Sequence, residues 1–329
     1  MKYKILFLTE SGFLGKVPRH LAANGRVDLA WQSVLDSEHL PLIPEFINKI
    51  EYIFDKSRHY DFAIVILPKN LSELADKYTA DKLIMRLKQV ANKIVFMQEG
   101  PHWYFQDYSV ELQKWHMRFV GRCDFIFCHN LIDISYYEGL HPEKRIFVMP
   151  SVMIEDNIKD ALDIVKQDKN IIGGNFCRWY GGFDSLAIVS QMNPFKTWAP
   201  SMGRKQRDEE KVVTHLPYMA WADWIHKLAE FKYAVHMMPT VAAGTFSMNC
   251  AYLGIPCIGN KQLDTQRLCF PDLSIDIHDI SKAIRIGTNL FNDKESYDYI
   301  SKKAQKQYEK MFSEKAYRKQ MNMTLSLMT

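Results

Sequence analysis

No run in the 329 residues approaches the roughly 18 to 20 apolar positions a helix needs to cross a bilayer. A membrane span is therefore not expected. The six cysteines, Cys123, Cys128, Cys177, Cys250, Cys257 and Cys269, include no C-x-x-C pair, and several sit in apolar runs where a free thiol behaves as a small hydrophobe. That excludes a disulfide scaffold and points to a reducing compartment. The chain begins directly in strand pattern, without a charged-then-apolar leader, so a cytoplasmic protein is expected. A large excess of one charge is missing too: the net charge is +4, which permits an acidic partner without demanding one. H-E-x-x-H, cysteine-histidine sets with zinc spacing, a Walker lysine loop, G-x-G-x-x-G and G-x-S-x-G are all missing. Metalloprotease, P-loop, dinucleotide and hydrolase-elbow readings fall away, and no metal site is expected. Internal repeats and low-complexity tracts are missing as well.

What is present is a rhythm. Short apolar runs, Tyr3 to Leu8, Val27 to Trp31, Phe62 to Leu67, Ile94 to Met97, Phe125 to Cys128 and Ile146 to Met149, alternate with helical spacing between them. Strands apolar on both faces, alternating with helices, predict a parallel sheet covered on both sides. After a polar stretch from Ser151 to Asn170 the rhythm restarts. The strands of this second series fall at Phe195 to Trp198, Lys211 to His215, Tyr233 to Met238, Ile255 to Gly259 and Leu273 to Ile277. The fold class expected is α/β, two doubly wound Rossmann-like domains facing across a cleft, with a C-terminal helix crossing back. Residues 1–155 are expected to form the first domain and 156–329 the second, with the C-terminal helices. Each is near the usual size of a single domain.

In such sheets ligands bind beyond the carboxyl ends of the strands, so four stretches draw attention. Ser11-Gly12-Phe13-Leu14-Gly15 follows the first strand and reads equally as a ligand-approaching loop or a plain turn. Gly173-Gly174-Asn175-Phe176-Cys177-Arg178-Trp179-Tyr180-Gly181-Gly182 brackets one arginine between glycine pairs, which suits a diphosphate: close backbone approach, N–H donors and a fixed cation. A surface arginine paired with an acid is the plainer alternative. Thr240 to Gly244 is a small-residue loop delivering Thr245 and Ser247 to a helix N-terminus, either as phosphate ligands or as simple caps.

The fourth stretch, Val95 to His116, places Glu99 just after a strand, with His102, Trp103, Tyr104, Phe105 and Asp107 following. Glu99 at that position suits general base work. The aromatic residues suit stacking on a sugar or a base. Asp107 and His102 are nearby candidates for the same duty as Glu99, the plainer alternatives being Asp107 or Ser109 as the cap of the next helix and His102 as a hydrogen-bonded packing residue. The basic runs Gly203 to Arg207 and Lys302 to Lys306 read as solvated faces.

The segment Thr214 to Asn260, "THLPYMAWADWIHKLAEFKYAVHMMPTVAAGTFSMNCAYLGIPCIGN", resembles the donor half of the two-Rossmann-domain (GT-B) nucleotide-sugar glycosyltransferases. The layout of nearly the whole chain is similar to theirs. A narrower resemblance is to the phage DNA β-glucosyltransferases, through Gly173-Gly174-Asn175-Phe176 with Arg178 and through Leu263-Asp264-Thr265-Gln266-Arg267. The resemblance implies an inverting transfer of a sugar from a nucleoside diphosphate, with a UDP-sugar as donor, to a hydroxyl acceptor. Glu99 then stands where those enzymes carry their base. Gly173, Gly174, Asn175, Arg178, Gly244, Thr245 and Ser247 surround the diphosphate, and Leu216 and Tyr218 lie near the nucleotide base. Asn249 stands where many members hold the ribose with a glutamate. Gly12, His102, Trp103, Tyr104 and Phe105 fall on the acceptor side. No cofactor is implied for the chemistry, and a divalent metal would at most assist product release. A hydroxymethylated pyrimidine in duplex DNA is the acceptor in the narrower family. A surface glycan or small molecule fits the broader one, and a sugar-nucleotide epimerase or a non-catalytic nucleotide-sugar or DNA-binding module shares the layout.

Overall fold

The computed structural model describes residues 2–10, 13–22, 27–53, 59–177, 179–201 and 208–329. The chain forms two compact units, one of Met1–Ile154 with Tyr317–Thr329 and one of Glu155–Ala316.

In the first unit the strands are β1 (Ile5–Thr9), β2 (Gly15–Lys16), β3 (Glu38–Pro41), β4 (Tyr60–Val65), β5 (Ala91–Met97), β6 (Phe125–Cys128) and β7 (Arg145–Val148). Among the described residues they make one sheet in the order β2-β3-β1-β4-β5-β6-β7. All neighbours pair parallel except β2 with β3. Alternation along each strand sorts the side chains between two faces. Leu6, Leu8, Ala63, Val65, Ile94, Phe96, Ile126 and Cys128 belong to one core, and Ile5, Phe7, Phe62, Ile64, Val95, Met97, Phe125 and Phe127 to the other. Both faces are apolar because both are covered. The second is covered partly by the last helix, Glu314–Ser326, through Tyr317, Met321 and Leu325.

In the second unit the strands are β8 (Gln167–Ile172), β9 (Lys196–Pro200), β10 (Thr214–Leu216), β11 (Phe231–His236), β12 (Cys257–Asn260) and β13 (Ser274–Ile275). Their order is β10-β9-β8-β11-β12-β13, and every pairing is parallel. In each sheet the first strand in sequence lies inside and the order reverses beside it, the doubly wound arrangement expected.

One expected strand is wrong. Val27 to Trp31 lies in a helix, Val27–Val34. Ala30, Trp31, Val34 and Leu35 are all buried, a spacing that puts four residues on one helical face but would split them between the faces of a strand. The strand at this place in the sheet is β3, whose Glu38-His39-Leu40-Pro41 has no apolar run to announce it. His39 is nevertheless fully buried, with Nδ1 2.5 Å from the Phe13 carbonyl oxygen and Nε2 3.3 Å from Thr9 Oγ1. The polar stretch after Ser151 also hides apolar anchors, since Val152, Met153, Ile154, Ile158 and Ala161 are buried.

Candidate active site

The carboxyl edge of the first unit's sheet gathers most of its chemistry around the turn after β5. Glu99 is half-buried there, and Tyr104–Asp107 follows as a turn of 3-10 helix. The helix Val110–Arg122 is capped by Ser109, whose Oγ accepts from the Leu112 N–H at 3.4 Å. Asp107 is exposed and does not cap it.

His102 finds a partner no sequence spacing suggests. Its Nδ1 lies 2.9 Å from Oδ1 of Asp133, a fully buried carboxylate in the first turn of the helix Leu131–Leu140. The other carboxylate oxygen accepts from the Asn130 backbone N–H at 3.1 Å, from Asn130 Nδ2 at 3.3 Å and from Gln98 Nε2 at 3.4 Å. Asp133 is thus held by four donors from two loops, as a buried charge requires. The His102 ring lies over Tyr136, centroids 4.2 Å apart. A neutral imidazole that gives Nδ1–H to a carboxylate keeps Nε2 as its basic atom.

The aromatic residues divide. Phe105 is buried and stacked on His116 at 4.4 Å, so it packs rather than presents a surface. Tyr104 and Trp103 are half-exposed. The Tyr108 hydroxyl donates to the Lys69 carbonyl at 3.0 Å, and burial, with the nearby Tyr104, Glu10 and Glu99, pushes its pKa up to about 12. It stays protonated at any working pH. Glu99, His102, Tyr104, Phe105, Tyr108 and His116 line a cavity of about 40 Å³. One water needs about 10–15 Å³, so this hollow is sized for water and not for a sugar ring.

In the second unit the turn after β8 and the turn after β11 lie side by side, because β8 and β11 are neighbours. Asn175 is buried and shapes the first turn: Oδ1 accepts from the Cys177 N–H at 3.2 Å, Nδ2 donates to the Ser201 carbonyl at 3.3 Å, and its own carbonyl accepts from the Gly182 N–H at 3.1 Å. A Cβ on Gly173 would collide with the His236 ring. The Gly173-Gly174 pair therefore serves close packing as well as any ligand. Gly244, at φ +67°, ends the second loop and opens the helix Thr245–Tyr252. A side chain there would be strained and would strike Thr265.

Several expected donor-site residues are committed elsewhere. Ser247 is fully buried and gives its hydroxyl to Gln266 Oε1 at 2.9 Å. Asn249 is buried, its amide oxygen accepting from Trp224 Nε1 at 3.2 Å and its nitrogen donating to the Thr245 carbonyl at 3.0 Å. Leu216 is core, whereas Tyr218 is 89% exposed. Thr245 is half-buried at the helix start, where the first amides have no carbonyl one turn back. Gly12 and Arg178 lie outside the described residues, as does the basic run Gly203 to Arg207. Sequence reasoning missed Asp133, because a carboxylate in a helix's first turn reads as a cap, and His236, because a lone histidine in a strand reads as packing. Among the described residues no group of three or more histidine, cysteine or acidic side chains could hold a metal, and no helix is long and apolar enough to cross a membrane.

No family model matches the sequence and no curated protein does. Solved structures do. A sucrose-phosphate synthase from Thermosynechococcus elongatus is 10% identical, with a TM-score of 0.70 over 98% of both chains. HepE of Anabaena, solved with UDP-glucose, is 13% identical, with a TM-score of 0.65 over 98% of this chain and 99% of the other. An alpha-glucosyltransferase, solved with UDP-glucose and DNA containing an abasic site, is 12% identical, with a TM-score of 0.62 over 98% and 99%. What these likenesses show is the fold: the chain has the two-Rossmann-domain GT-B architecture.

Proposed function

We propose that the protein is a glycosyltransferase of the cytoplasm that moves a sugar from a UDP-sugar to a hydroxyl acceptor. The observation that carries this reading is the likeness over 98% of the chain to structures that hold UDP-glucose. The second unit takes the donor, through Gly173, Gly174, Arg178 and the helix start at Thr245, where backbone N–H groups suit phosphate oxygens. Fixed donors there stabilise the negative charge that grows on the departing diphosphate.

The first unit serves the acceptor. Its hydroxyl oxygen attacks the anomeric carbon, the bond from that carbon to the phosphate oxygen breaks with its electron pair leaving on UDP, and the hydroxyl proton passes to Glu99. Attack from the face opposite the leaving group inverts the anomeric centre. Trp103 and Tyr104 flank the acceptor. The hydrogen bond between His102 and buried Asp133 favours a second reading of the proton acceptor, since it leaves Nε2 as the ring's basic atom. The acceptor proposed is a hydroxymethylated pyrimidine in phage DNA, supported by the narrower sequence resemblance and by the DNA-bound alpha-glucosyltransferase of similar fold.

The test is to incubate the protein with UDP-glucose and other nucleotide sugars, against hydroxymethylated duplex DNA and against simple glycans, and to weigh the products. A mass gain of one sugar on the DNA supports the reading in full. Gain on glycans alone keeps the enzyme and changes the acceptor. Isomerised donor without transfer replaces it with an epimerase.

A further inference from the structure

His236 ends β11, and its ring lies between the two turns that face the proposed donor. On one side is Gly173, whose missing side chain leaves room for the ring. On the other is Phe246, in the first turn of the helix Thr245–Tyr252, with ring centroids 4.9 Å apart. The backbone beyond is fixed, because Ser185 Oγ accepts from the Met237 N–H at 2.9 Å and Asn260 Nδ2 donates to the Met238 carbonyl at 2.9 Å. The residue is only 4% exposed, yet neither ring nitrogen has a hydrogen-bond partner among the described residues. A buried polar group left unpaired costs on the order of 1–3 kcal/mol, and such a group calls for a specific explanation. As a packing residue alone, an apolar side chain of similar size would serve better.

We propose that His236 contacts the nucleoside diphosphate of the donor, as a binding residue beyond those already placed around that site. The inference rests on the glycosyltransferase reading and deepens it. A neutral imidazole has one N–H to give and one bare nitrogen that accepts. A nucleoside diphosphate offers both complements within one molecule, since phosphate oxygens accept and ribose hydroxyls donate. Burial pushes the His236 pKa down to about 4, so the ring enters binding in its neutral form. Two independent features converge on this spot: amides without intrahelical acceptors at the start of an eight-residue helix, and a buried side chain with unsatisfied donor and acceptor atoms beside that first turn.

The experiment measures binding of UDP and of uridine by titration calorimetry to the full-length protein and to two variants. His236→Leu should weaken UDP at least tenfold while its unfolding temperature stays equal or rises, because the unpaired nitrogens are gone. His236→Gln, which keeps a donor and an acceptor, should stay within about threefold of the parent, a recovery a packing role would not predict. Uridine should lose little if the phosphate contact dominates. If His236→Leu folds and binds UDP as the parent does, the inference is overturned and the donor site stands. If that variant fails to fold, nitrogen-15 shifts of the ring in the parent protein decide: a response of both His236 nitrogens to UDP supports the contact, and silence overturns it. A parent protein that does not bind UDP at all removes the donor-site reading as well.

Discussion

Asp133 in the first unit and His236 in the second are both buried polar side chains at the edge where strands end, and they are treated in opposite ways. Asp133 is met by four donors from His102, Gln98 and Asn130. Among the described residues His236 is met by none. A satisfied buried charge rigidifies what surrounds it, so the loop carrying Glu99 and His102 is organised by the protein alone. The first edge carries its own partners, whereas the second leaves a donor and an acceptor open, which the proposed nucleotide contact would fill.

The comparison can be broken at the catalytic step first. Glu99→Gln should lower kcat by about 10²–10⁴-fold with UDP affinity unchanged, the usual contribution of a positioned base. Should His102→Asn cause that loss while Glu99→Gln does not, the base is the imidazole held by Asp133. Next in size, Asp133→Ala should cost about 3–5 kcal/mol of stability, since it strands several buried donors and a histidine at once. Its thermal unfolding should fall sharply while UDP affinity in any folded fraction is kept.

Acid sharpens the contrast. Burial depresses both His116 and His236 to about 4, from an ordinary 6.5. The unfolded chain therefore takes up these protons before the folded one does. Stability is fully present above pH 6.5 and falls as the pH drops toward 4, at about 1.4 kcal/mol per pH unit for each ring. Urea unfolding across that range should show the slope. His236→Leu should remove only its own share and leave the His116 share intact. At the small end, Tyr218→Ala should move stability by less than about 0.5 kcal/mol, because that ring is 89% exposed. A larger loss would mean the ring is not the free surface group its exposure indicates.

The architecture was legible because strands covered on both faces spell themselves as apolar runs, as β6 does with Phe125-Ile126-Phe127-Cys128. Where the run is short the pattern is ambiguous, and Val27 to Trp31 became a helix. β3 escaped notice because only Leu40 and Pro41 of its four residues are apolar, and the third buried side chain is a histidine held by hydrogen bonds. Glu99 stands out in the sequence because position after a strand is a local property. The pairing of His102 with Asp133 was not, since it joins residues 31 apart in sequence through the packing of two loops. Ser247 and Asn249 show the converse. Their types suit a ligand, but helical phase turns both inward.

The last helix carries a consequence for how the chain reaches its structure. Tyr317, Met321 and Leu325, with Met328 just beyond the helix, complete a core otherwise made of residues up to Ile154, and the whole second unit is interposed. During synthesis the second unit's residues are all available before the first unit's are. The earlier half of the chain must then wait, with Trp31 and the β1 face incompletely covered, until a segment some 160 residues later arrives. Contacts of such separation slow folding and lengthen exposure to aggregation. A truncation that removes this helix should therefore damage the half of the protein that was made first.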